Sequence, residues 1–114
     1  MRWVRAVRFG PVATFTGMTI RILDFSAPWC GPCKTLKPVL TALATEYGPR
    51  VELVEIDTEA DPVATVRYDV RATPTIVLER DGVVVGRVVG ARPRAFIAGM
   101  LDRALNGDVA IAGP

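Results

Sequence analysis

Histidine is absent from the 114 residues, cysteine occurs only twice, and no apolar run approaches the ~20 residues needed to cross a bilayer. A zinc site is therefore short of ligands, since it takes about four and neither an imidazole nor a second cysteine pair is available. An excess of one charge is missing too. The net charge is +2 with both signs interspersed, which leaves no electrostatic footprint for nucleic acid or an acidic surface. The basic start, Met1 to Phe9, looks like the front of a signal peptide, but Gly10, Pro11, Thr14, Thr16 and Gly17 break the adjoining stretch, and no hydrophobic core or cleavage site appears. The expectation is a soluble, cytoplasmic protein in a reducing compartment, without membrane or nucleic-acid partners. Repeats and low-complexity segments are also lacking. At this length, with half the residues apolar, the chain makes one domain, taken as residues 1–107, with 108–114 a flexible tail.

What is present is concentrated in one place. Both cysteines fall in Trp29-Cys30-Gly31-Pro32-Cys33, at the start of a helical pattern. Cys30 at the helix start and Cys33 one turn inside can close a disulfide, and the aligned backbone N–H groups favour a thiolate on Cys30. Pro32 is tolerated in a first helical turn because its missing N–H would have had no partner there. A structural bridge is disfavoured, since so short a loop removes little entropy from the unfolded chain. In a reducing compartment such a pair reads as a redox dithiol.

The pattern along the chain alternates strand and helix. Residues 2–8 alternate arginine with apolar side chains and suit a strand. Residues 9–19 are poor helix formers. Ile20 to Phe25 reads as a central strand covered on both faces. Leu36, Val39, Leu40, Leu43, Ala44 and Tyr47 form a helical stripe, with Pro38 predicting a kink. Val51 to Ile56 is read as the next buried strand. Asp61-Pro62 opens a short helix, Asp81-Gly82 signals a hairpin between 75–79 and 83–89, and Phe96 to Leu105 gives a last amphipathic helix ending at Asn106-Gly107.

The segment Leu23 to Lys34 resembles the active-site segment of the thioredoxin family. Pro38, Tyr47, Val54 to Asp57, Tyr68 to Thr75, Asp81-Gly82 and Val89 to Ala91 come after it in matching order. The resemblance covers Ile20 to Leu105. It implies an α/β thioredoxin fold, a central mixed β-sheet flanked by helices, and the composition of 9–19 predicts a short or degenerate first helix. It also implies protein-disulfide reduction, with Cys30 as nucleophile and Cys33 as resolving thiol. No bound cofactor or metal is implied. Electrons would come from NADPH through a flavin-dependent thioredoxin reductase, and the partners would be that reductase and disulfide-containing clients, met by a monomer.

Asp24, six residues before Cys30, reads from composition as a strand-end carboxylate bonding the next turn; the resemblance makes it a buried proton carrier for Cys33. Many thioredoxins place a lysine near this aspartate on the next strand, and the matching position here is Leu53, so the Asp24 pKa is expected to rise further. Thr73-Pro74 is implied to be a cis pair whose Thr73 backbone meets a client strand, with Gly90 allowing close approach and Trp29 offering a flat apolar contact. Gly31 and Pro32 complete the active-site loop. Trp3 is read as packing; Lys34 and Lys37 could raise the positive potential near the thiolate, but exposed helix lysines are usually solvated, and neither is counted among the site residues. Three rivals stand beside this reading. One is an oxidant or isomerase on the same fold, against which the lack of histidine in the loop argues. A second is a binding module whose thiols are incidental. A third is a reductant dedicated to one partner.

Overall fold

The computed structural model describes residues 19–107 and 110–111. The strand expected over 2–8, Trp3, and all but Thr19 of the degenerate first helix expected over 9–19 lie outside the described residues. Among the described residues five strands and three α-helices succeed one another in chain order: β1 (Ile20–Ser26), α1 (Gly31–Tyr47), β2 (Val51–Asp57), α2 (Pro62–Arg67), β3 (Thr75–Arg80), β4 (Val83–Val89), α3 (Arg94–Leu105) and β5 (Ala110–Ile111). The sheet order is β2-β1-β3-β4-β5. β1 runs parallel to β2 and antiparallel to β3, β3 and β4 are antiparallel, and β4 and β5 are parallel. The sheet is therefore mixed, as expected. Ala110–Ile111 lies in the stretch read from sequence as a tail, and it pairs with Gly86 and Arg87 of β4.

Strand alternation sends β1 side chains to two cores. Ile20 and Ile22 join Leu36, Leu40 and Leu43 of α1 and Ile97, Met100 and Leu101 of α3 on one face. Leu23 and Phe25 join Val77 on the other, backed by Ala64, Tyr68 and Val70. Asp24 has the parity of Ile22, so it faces α1. Leu40 is fully buried in the larger core, and Leu40→Ala is expected to cost about 3 kcal/mol of stability, measured as a lower urea midpoint with the slope unchanged.

β2 corrects one expectation. Only Val51 is buried, while Glu52, Glu55 and Asp57 are exposed; among the described residues β2 borders β1 alone. Leu53 is half-buried against the larger core and Val54 and Ile56 against the smaller one, so only the charged side chains of the strand meet solvent fully. The other elements obey their local signals. Asp61 caps α2 by accepting from the Ala64 N–H at 3.0 Å. Asp81 and Gly82 both take positive φ (54° and 81°), the tight hairpin turn that a side chain larger than Asn or Asp rarely enters. α1 continues through Pro38, and its far end is pinned to α3 where the Tyr47 hydroxyl donates to Asp102 at 2.6 Å.

Candidate active site

The parallel pair β1–β2 ends at Ser26 and Asp57, and β1 passes into Ala27 to Trp29 before α1 begins. Cys30 is the N-cap of α1, with extended backbone, and its Sγ accepts the Cys33 N–H at 3.2 Å. The two sulfurs form a disulfide, with Cα atoms 5.3 Å apart. Both cysteines are buried against Ala27, whereas Gly31 and Pro32 are exposed. A helix of 17 residues thus ends its run of unpaired N–H groups on Cys30, and that positive end stabilises a thiolate more than a thiol. No acidic residue occupies the first turn of α1 to oppose it.

Asp24 lies at the bottom of a cleft of about 350 Å³ that it shares with Ser26, Cys33, Lys37, Glu55 and Asp57. It is 3 % exposed, and its Oδ1 has no hydrogen-bond partner among the described residues. Burial, reinforced by the neighbouring Glu55 charge, raises its pKa from the ordinary 3.8 to about 6, and Lys37 opposes the rise. A carboxyl that titrates near neutrality beside a thiol is suited to exchanging a proton with it.

The Thr73–Pro74 peptide bond is cis. Pro74 is buried and Thr73 half-exposed; Thr75, next in line, pairs with Phe25 on one side and Val89 on the other. This register brings the Thr73-Pro74 turn and Gly90 to the sheet end where β1 enters the cysteine loop. The Gly90 N–H donates to the Pro74 carbonyl at 2.8 Å. Gly90 has φ 99°, and a Cβ there would meet no protein atom within 4 Å. The backbone conformation therefore demands glycine, and the space above it stands open. Trp29 is 67 % exposed, with its indole N–H donating to the Glu59 carboxylate, which holds a large apolar face at the rim of the loop.

The thioredoxin family model matches residues 14–103 of this chain. A thioredoxin of Staphylococcus aureus is 37 % identical over 86 residues, spanning 75 % of this chain and 83 % of the relative. The chain belongs to the thioredoxin family. Mitochondrial thioredoxin 3 of Saccharomyces cerevisiae, solved in its oxidized form, superposes with a TM-score of 0.67 at 36 % identity, covering 81 % of this chain and 87 % of that one. Fasciola hepatica thioredoxin gives 0.72 at 33 % identity, covering 82 % and 88 %. The thioredoxin fold and its dithiol protein-disulfide oxidoreductase chemistry are thus those of this protein.

Within the thioredoxin frame, the sequence reading left Lys37 out of the site and missed Glu59. Leu53 packs against the larger core and supplies no cation, but Lys37 of α1 reaches across the cleft to Glu55 at 3.1 Å. The lysine read as solvated is thus the positive charge over Asp24. Glu59 is the other, as the anchor of Trp29. Neither sits in a motif, and only the register that sets Asp24 beside Glu55 draws attention to the first. Lys34 lines the same cleft.

Proposed function

We propose that this thioredoxin works as a reductant of protein disulfides. The observation that carries the reading is the placement of Cys30 as the N-cap of α1, with Cys33 one turn away and bonded to it. In the reduced protein the Cys30 thiolate attacks one sulfur of a client disulfide; a mixed disulfide forms and the other client sulfur leaves as a thiolate. Asp24 takes the Cys33 proton, the Cys33 sulfur attacks Cys30 Sγ, and the second client sulfur leaves. Two electrons pass to the client, and the Cys30–Cys33 disulfide remains. Resolution is fast because its reactants are tethered.

The client approaches as an extended segment. Thr73 beside Pro74 offers backbone groups for pairing with it, the open space over Gly90 admits it, and Trp29 covers its apolar side; Gly31 and Pro32 hold the loop that presents Cys30. Electrons return from NADPH through a flavin-dependent thioredoxin reductase, and the protein works as a cytoplasmic monomer. Among the described residues no helix is long and apolar enough to cross a membrane.

The test is the equilibrium reduction potential of the Cys30/Cys33 couple against glutathione. A value near about −270 mV, the one typical of thioredoxins, is expected; one approaching about −120 mV, where strong oxidants lie, would reverse the direction of electron flow.

A further inference from the structure

The turn that carries Thr73 is approached through Tyr68 and Asp69, and these two residues are held in an unusual way. Asp69 has φ 56°, the left-handed region that residues other than glycine seldom occupy. Arg87 of β4 grips the backbone at this point. Its Nη1 donates to the Tyr68 carbonyl at 2.8 Å and its Nη2 to the Asp69 carbonyl at 2.7 Å. Arg71 adds a bond from Nε to the Asp69 carboxylate at 3.0 Å, but that pair is exposed and contributes little. Arg87 is half-buried and opposite Val77, on the sheet face that carries Phe25 and Tyr68, so its charge-assisted bond to the Tyr68 carbonyl is partly shielded from water while the one to Asp69 is exposed.

The same strand fixes the other end of the segment. Gly90, three residues beyond Arg87, donates to the Pro74 carbonyl, and the Thr75 hydroxyl donates to the Ala72 carbonyl at 2.6 Å. The stretch from Tyr68 to Pro74 is thus tied at one end to Arg87 of β4 and at the other to Gly90, the residue after that strand, with Ala72 and Thr73 presented between the ties. Without Arg87, the two carbonyls lose their donors, and Asp69 is kept left-handed only by the helix-end bonds from its own N–H to the Val66 carbonyl at 3.0 Å and from the Val70 N–H to the Thr65 carbonyl at 2.9 Å.

We propose that Arg87 is a positioning residue for client binding: by clamping the Tyr68 and Asp69 carbonyls it holds the Thr73 backbone ready to pair with an extended client. The inference rests on the reading that Thr73 pairs with a client strand. It assigns Arg87 no part in the sulfur chemistry.

The test uses the full chain and two probes: a disulfide peptide with an extended flank, and the same peptide N-methylated on the flanking backbone so that strand pairing is lost. The rate with a small aromatic disulfide reagent reports Cys30 alone. In Arg87→Met the KM for the plain peptide is expected to rise about fivefold, the cost of ordering a loop that is no longer held, with kcat and the reagent rate unchanged. Asp69→Gly in the same background is expected to restore KM, because glycine adopts the left-handed conformation without a clamp. Arg87→Lys keeps the stem and charge but not the two-pronged reach; should Arg87→Met fail to fold, Arg87→Lys is expected to raise KM likewise. If wild type treats the two peptides alike, strand pairing at Thr73 is wrong. If wild type discriminates but the Arg87 variants keep its KM, or Asp69→Gly restores nothing, the clamp is wrong and the pairing stands.

Discussion

Cys33→Ser turns the protein from a catalyst into a trap. With the resolving sulfur gone, Cys30 still attacks client disulfides, and the mixed disulfide accumulates because its only exit is attack by a thiol from solution. The tethered step has an effective concentration far above any free thiol, so turnover is expected to fall by at least about 10³-fold. Cys30→Ser is expected to fall equally far but trap nothing, since Cys33 lies inside the first turn of α1 and lacks the N-cap position that favours a thiolate. Intact-mass measurement after mixing with a disulfide client separates the two: an adduct is expected for Cys33→Ser alone. An adduct on Cys30→Ser would invert the assignment of nucleophile and resolving thiol.

Asp24→Asn has two large effects of opposite sign. The carboxyl titrates near pH 6 in the folded protein and at an ordinary 3.8 when unfolded, so between those values the folded state holds the proton more tightly. Asp24 therefore leaves stability intact below about pH 4 and lowers it as pH rises through 6, after which the loss is constant. Discounted for water in the cleft, that loss is on the order of 2 kcal/mol. Asp24→Asn in the oxidised protein is expected to recover about this much at pH 8 and almost none at pH 4, read as a flattened plot of urea midpoint against pH. Resolution of the mixed disulfide, by contrast, is expected to slow by about tenfold to a hundredfold at neutral pH as the proton acceptor is lost. The ionisation near pH 6 should vanish from the rate profile with it. A profile identical to wild type would remove Asp24 from proton transfer. Lys37→Gln should move the wild-type midpoint up and Glu55→Gln should move it down, because the two charges act on Asp24 with opposite signs.

These effects are linked by one compromise. A buried carboxylate whose Oδ1 has no partner among the described residues is a poor element of a core; on the proposed mechanism that cost in stability supplies Cys33 with a proton acceptor where water is scarce. Lys37 and Glu55 form an exposed ion pair worth little to folding, yet both charges act on the Asp24 carboxyl.

Much of this was legible in the chain. The cysteine loop, the proline in the first helical turn, the Asp61 cap, the Asp81-Gly82 turn and the stripes on α1 and α3 are all set by residues within one or two turns of each other. Local sterics and hydrogen bonding act at that range, so the sequence alone determined where helices start, where the chain reverses and which faces are apolar. It also placed both thiols on one helix end, which is enough to define the redox chemistry. Tertiary structure decided what depends on register. Whether Val51 to Asp57 is buried depends on what borders it, and whether Lys37 finds an acidic partner across the cleft depends on Glu55 lying beside Asp24. Arg87 is an ordinary strand residue until β4 packs beside the end of α2 and puts two carbonyls within its reach. Charged side chains have no periodic signature of their partners, because one pairing across the sheet is as compatible with local geometry as another. The fold chooses among them by burying the apolar faces, and the ion pairs, clamps and raised pKa result from that choice.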